Sequence, residues 1–174
     1  KAENAGQNGF KKTDFSRIKS ETVAHLRRSQ LMGGELLIVF VGAGTGNVAV
    51  VPPNSRFFLG PNIGMARPYG NINSKYLEYF YQSPGGKDIL MVTAKAVAQP
   101  SLSMGTIRQS PLVMPSIEEQ SEIVGIIENK FSIVDDLSHS IELRIKESEL
   151  LRQSILQKAF EGNLVPQDPN DEPA

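Results

Sequence analysis

From Pro115 onward the chain reads PSIEEQSEIVGIIENKFSIVDDLSHSIELRIKESELLRQSILQKAFEGNLVPQDPNDEPA, and few folds accommodate that stretch. Ser116 precedes Glu119 by three residues, the spacing of a capping box that satisfies free N–H groups at a helix start. Ile123, Ile127, Phe131, Val134, Leu137, Ile141, Ile145, Leu151, Ile155 and Ala159 recur every three or four residues, with one gap filled by Ser148. That spacing makes one coiled-coil-like apolar stripe along a helix. Gly162 suits the residue just past a helix end, and Pro166 prevents continuation. The stretch therefore predicts a single helix of about 45 residues, about 65 Å long. Such a helix cannot bury its stripe against itself. It needs a second helix, from a further half of the protein or from another chain. A spacer or docking element fits this better than a self-contained enzyme.

Charge divides the chain at the same place. Residues 1–115 carry 13 Lys and Arg against 6 Asp and Glu, whereas residues 116–174 carry 5 against 13. The overall net charge of −1 hides a basic first part and an acidic helix. A basic first part suits a polyanionic partner, and an acidic helix does not.

With 174 residues, 40% hydrophobic and 21% charged, the chain has room for one globular domain and an extension. The absence of cysteine excludes disulfides and cysteine-based metal sites and is compatible with a cytoplasmic location. No apolar run approaches the ~18 residues of a membrane span. The first residues lack the apolar core of a secretory signal and an initiator Met, so the start reads as a cut or processed end.

The remainder predicts an α+β mixture: a small β-rich domain over residues 1–115, the long helix over 116–165 and a tail over 166–174. Lys1–Gly9 reads as a loop. Ser20–Ser29 reads as a short helix with Ser20 as N-cap, ended by Gly33 and Gly34. Glu35–Val41 and Asn47–Val51 read as buried strands joined by the glycine turn Gly42–Gly46, with Pro52–Ser55 ending the second. Arg56–Leu59 and Gly64–Arg67 read as further strands. Asn73–Gln82 reads as an amphipathic helix stopped by Ser83-Pro84-Gly85-Gly86, and Asp88–Val97 as helix or strand, with helix favoured. Leu102–Gln109 reads as a turn or short helix, and Leu112–Met114 as a strand.

No catalytic arrangement emerges. Gly42-x-Gly44-x-Gly46 lacks the Lys-Ser/Thr of a Walker loop and the following helix of a dinucleotide fold, so it reads as a hairpin turn. Pro52-Pro53-Asn54 holds the letters of a methyltransferase motif in the wrong order. His25 and His139 have no third metal ligand at a recognisable spacing. The candidate DNA contacts are Lys11, Lys12, Arg17, Lys19, Arg27, Arg28, Arg56, Asn62, Arg67 and Lys95, with Lys75 and Arg108 as further cations. Such side chains grip phosphates or read base edges. The densest cluster runs from Lys11 to Arg28. Tyr76, Tyr79 and Tyr81 follow helical spacing and read as core and rim.

Two stretches carry a resemblance to the specificity (S) subunits of type I restriction–modification systems. One is Pro115-x-x-x-Glu119-Gln120-x-x-Ile123-Val124 with the helix ending Leu151-Arg152-Gln153-Ser154-Ile155-Leu156-Gln157-Lys158-Ala159-Phe160-Glu161-Gly162-Asn163-Leu164-Val165, which resembles the family's spacer region. The other is looser. It runs from Gly34-Glu35-Leu36-Leu37 through the glycine hairpin, Asn62-Ile63, Tyr76-Leu77-x-Tyr79 and Gln99-Pro100 to Pro111-Leu112, and resembles the later part of a target recognition domain.

The resemblance implies a non-catalytic DNA-recognition component. Each of two recognition domains reads half of a split duplex site, and paired helices set the distance between halves. Methyltransferase subunits, and in some complexes a restriction subunit, assemble around them. S-adenosylmethionine is expected on the methyltransferase subunit, with no cofactor or metal on this chain. The seam from Ile123 to Ile155 then pairs with a second half-subunit or another copy of the chain. Two other readings stay open: the C-terminal recognition part of a fused restriction–methyltransferase polypeptide, and a structural coiled-coil adaptor. The adaptor leaves the basic first part unexplained.

Overall fold

The computed structural model describes residues 1–12, 15–54, 56–92, 101–165 and 170. The chain divides into two compact units, Lys1–Gly125 and Ile126–Ala174. The first is built on a sheet of three antiparallel strands, β4 (Leu36–Val39), β5 (Val48–Val50) and β7 (Ile63–Ala66), in the order β5-β4-β7. Leu36 faces Val50 on one side and Ala66 on the other, and the register runs without a break to Val39 opposite Ile63. All four residues of β4 are buried, which explains why it reads as a continuous apolar run instead of an alternating one.

Alternation survives in where those side chains go. Leu36 and Ile38 pack with Val48, Tyr76, Leu77, Tyr81 and Leu90 on one face of the sheet. Leu37 and Val39 pack with Ala5, Leu31, Ala49, Val51 and Ile63 on the other. The first face is covered by α2 (Ser74–Gln82) and α3 (Pro84–Met91). The second is covered by a hairpin of β1 (Ala5–Gly6) and β2 (Gly9–Phe10), and by β3 (Gln30–Leu31) paired with β6 (Phe57–Phe58). In the turn between β4 and β5, Gly42 and Gly46 hold φ of 109° and 83°, a region open to glycine and costly for other residues. Gly46 N–H closes the turn on the Val39 carbonyl at 3.0 Å.

Several expectations need correction. Lys1–Gly9 is not a loop: a 3-10 turn at Ala2–Asn4 leads into the β1–β2 hairpin. The helix expected over Ser20–Ser29 is only α1 (Ser20–Val23), with Lys19 at the N-cap position and a separate 3-10 turn at Arg27–Ser29. Of that segment only Val23 is buried, so a longer helix would gain too little packing to offset its nucleation cost. Leu112–Met114 forms no strand. The Val113 carbonyl instead accepts the Tyr76 hydroxyl at 2.8 Å.

Ser83-Pro84-Gly85-Gly86 ends α2 but also starts α3. The Ser83 hydroxyl accepts Gly86 N–H at 3.1 Å, and Pro84 occupies the first turn, where its missing donor costs nothing. Residues 93–97 of the second expected helix lie outside the described residues, as does Pro166. Met104–Arg108 forms α4.

The long helix, α5, runs Ile117–Phe160 over 44 residues. The Ser116 hydroxyl accepts Glu119 N–H at 3.2 Å, but no return bond from the Glu119 side chain forms among the described residues, so the expected box is a one-way cap. Its end matches the glycine stop. Gly162 takes φ 71°, its N–H reaches Ala159 O at 3.2 Å, and Asn163 N–H reaches Lys158 O at 2.8 Å. Those two bonds are the Schellman pair. The α+β class, with a small β-rich part and one long helix, is the observed one.

Candidate nucleic-acid interface

The sheet's second face carries most of the candidate cations. Lys11 and Lys12 leave β2, Arg17 and Lys19 lie between β2 and α1, and Arg27 and Arg28 form the 3-10 turn before β3. Arg56 precedes β6. All seven are exposed, and none has a carboxylate partner among the described residues. Cations without internal counter-charges leave a positive field that a polyanion can neutralise.

Two of these cations, separated in sequence, share a cleft. An opening of about 680 Å³ on this face has Leu31, Leu37 and Ile63 in its lining, with Phe10, Phe15 and Phe57 beside them and both Arg17 and Arg56 contributing. The three rings form one cluster: Phe15 stacks on Phe57 at 4.7 Å between centroids, and Phe10 lies 5.7 Å from Phe57. Arg27, Arg28, Lys11 and Lys12 do not line this cleft.

Three candidates differ from the rest. Arg67 serves the fold: its guanidinium donates to the Gln30 carbonyl at 2.7 Å and lies 3.5 Å from the Glu35 carboxylate. Lys75 is likewise bound to buried Glu78 at 2.6 Å, and that carboxylate also accepts Val50 N–H at 2.9 Å. Asn62 is exposed in the left-handed region, φ 64°, in the turn before β7, where its carbonyl accepts Phe40 N–H at 2.8 Å. Asparagine tolerates that conformation better than most residues, so its identity has a backbone reason. Lys95 lies outside the described residues.

The structure gives roles to two residues to which the sequence assigned none. Glu35 is 3% exposed and accepts N–H bonds from Met32 and Gly33, both at 2.8 Å. Burial alone would push its carboxyl up, but these donors, with Arg67 beside it, hold it below its ordinary value. Gln120 is 1% exposed at the start of α5. Its side-chain carbonyl accepts Asn73 N–H and its amide donates to the Pro115 carbonyl, both at 2.9 Å. A signal existed: Gln120 lies three and four residues before Ile123 and Val124, on the same helix face.

On the seam, Ile123 packs against the core of the first unit, beside buried Val124. Ile127 is half-buried. Phe131, Val134, Leu137, Ile141, Ile145, Leu151 and Ile155 are each 45–62% exposed. No group of three or more potential metal-ligating side chains exists among the described residues, and no described helix is long and apolar enough to cross a membrane.

Comparison with known proteins gives a consistent result. The profile of the type I restriction modification DNA specificity domain matches residues 4–147. The specificity subunit of type I restriction enzyme EcoBI from Escherichia coli is 29% identical over 158 residues, covering 87% of this chain and 32% of that protein. The EcoKI specificity subunit from Escherichia coli strain K12 is 32% identical over 94 residues, covering 53% of this chain and 20% of that protein. The chain thus spans a third or less of these relatives. The crystal structure of the HsdS subunit from Thermoanaerobacter tengcongensis shares the fold, with a TM-score of 0.60 at 20% identity over 83% of this chain and 36% of that one.

Proposed function

Because the chain belongs to the family of type I restriction-modification DNA specificity domains, we propose that it is a sequence-specific duplex-DNA recognition module of a methylating and restricting complex. The observation that carries this reading is the extent of the family match, which takes in the sheet, its cationic face and most of α5. Lys11, Lys12, Arg17, Lys19, Arg27, Arg28 and Arg56 grip phosphates, which sets position and affinity without choosing sequence. Asn62, exposed in its turn, is a candidate base contact. Arg67 contributes less, because bringing it to DNA would strip buried Glu35 of its ion-pair partner.

The chain itself carries out no covalent step. Adenine methylation belongs to methyltransferase subunits that bring S-adenosylmethionine, with a restriction subunit as a further partner. The exposed seam of α5 pairs with a second helix, from another half-subunit or a second copy, which sets the distance between two half-sites.

Charge reversal tests the phosphate role. Arg27→Glu with Arg28→Glu is expected to weaken binding to random-sequence duplexes by about tenfold or more, and to flatten the log-affinity against log-salt slope by about 2. Fluorescence anisotropy across a salt series measures both. Unchanged affinity and slope remove this pair from the interface.

A further inference from the structure

Resting on the duplex-reading function just proposed, we infer that Gln7 and Asn8, at the apex of the β1–β2 hairpin, are specificity-determining residues that read base edges. Gly6 pairs with Gly9 across the hairpin, so Gln7 and Asn8 form its two-residue tip. Both are exposed, and neither side chain makes a hydrogen bond among the described residues. The turn does not dictate their identity. Only Gly9 holds a positive φ, 103°, whereas Gln7 and Asn8 keep ordinary negative values that most residues adopt. Two adjacent carboxamides, each with a donor and an acceptor, therefore stand at the tip; asparagine before glycine suits a tight turn, but nothing in the turn calls for Gln7.

The hairpin is anchored at its base and has a cation beside it. Asn4 O accepts Lys11 N–H at 2.8 Å, and the Asn4 side chain donates to Lys11 O at 3.2 Å, closing the hairpin base. Asn47 ties the Ala5 carbonyl to the β4–β5 turn at 3.4 Å. A side chain at Gly9 would meet the carboxylate of buried Glu78, so the hairpin lies flat on the body of the unit. Lys11 folds its aliphatic stem back across Gly6, where any Cβ would collide with it. That brings a cation alongside the tip. A polar hollow of about 260 Å³ is lined by Gln7, Asn8, Asn47, Gln82 and Lys87. Two lysines, Lys11 and Lys87, thus lie near the hairpin.

Asn and Gln bond bidentately to the N6 and N7 edge of adenine in the major groove, while lysines beside them hold phosphates. Adenine is the base this pair is suited to read. Asn8→Asp replaces the donor with a second acceptor, which matches the N4 amino group of cytosine instead.

The test is selection from a randomised duplex library, run in parallel on the full wild-type chain and on Gln7→Ala, Asn8→Asp and Asn8→Ser, with thermal melting of each. Serine suits the turn as well as asparagine, so it covers any failure of Asn8→Asp to fold. The expected result is a wild-type motif containing adenine, in which the variants change preference at one or two positions by about tenfold and leave the others intact. Asn8→Asp is expected to move preference toward cytosine. If every folded variant enriches the wild-type motif unchanged, this assignment is overturned while duplex reading stands. If the folded wild-type chain enriches no motif with or without a methyltransferase subunit, both fail.

Discussion

A buried carboxylate and a single hydrogen atom show how individual residues hold this unit in shape. Glu35 gathers the Met32 and Gly33 N–H groups and Arg67, and so fixes the turn that enters β4. Its carboxyl titrates below its ordinary value when folded. The stability it contributes is therefore complete above the ordinary carboxylate range and is lost as pH falls through the lowered folded value. Glu35→Gln is expected to cost about 1–3 kcal/mol near neutral pH. Urea melts should show that gap closing as pH falls below the ordinary carboxylate range, whereas a constant gap would mean the charge does not matter. At Gly86 any Cβ would run into the Phe80 carbonyl where α2 meets α3. The clash is with backbone, which cannot rotate away. Gly86→Ala is expected to destabilise by about 1–3 kcal/mol, and an unchanged melting temperature would contradict that packing. Neither role was legible in the sequence. Glu35 sits among apolar neighbours with no partner at a telling spacing, and Gly85-Gly86 reads as a helix stop because glycine's use in close packing leaves no periodic trace.

Legibility at the scale of elements followed hydrophobic repetition. The stripe from Ile123 to Ala159, the serine before it and the glycine after it located α5 almost to the residue. The apolar runs around the Gly42–Gly46 turn located β4 and β5. Strands of two residues, such as β1 and β2, are too short to show any period, and they were read as loop. Leu112–Met114 is apolar enough for a strand, but its carbonyl is bound by a tyrosine from α2 instead of a neighbouring strand. The seam of α5 belongs to this scale too. Leu137 and Ile141 are 60% and 49% exposed on one face, and their replacement by glutamate costs the isolated helix little. Leu137→Glu with Ile141→Glu is expected to leave the first unit's thermal melt within about 1 °C of wild type while abolishing helix pairing. Sedimentation equilibrium separates the outcomes: a wild-type chain that stays monomeric at every concentration would remove pairing between copies of the chain.

At the scale of the whole molecule, the two halves have different chemistry, which suits them to the different partners proposed for each. Two carboxylates of the first unit are buried and do internal work, Glu35 with Arg67 and Glu78 with Lys75, and seven cations stand exposed without a carboxylate partner among the described residues. The acidic helix presents an apolar face suited to another helix and unsuited to phosphate. That division was visible in the charge count, and the family resemblance of the spacer turned it into a specific expectation. The seating of the proposed phosphate-binding cations was not visible, because it depends on which loops the fold gathers around one cleft. Arg17 and Arg56, nearly 40 residues apart, share one cleft, and no spacing rule connects them. The measurement that bears most directly on the central claim is selection from a random duplex library by the full chain, with the methyltransferase subunit present and absent. A short enriched motif is predicted, with two copies at constant separation when helix pairing is intact. A folded chain that recovers only random duplexes under both conditions would contradict sequence recognition by this protein.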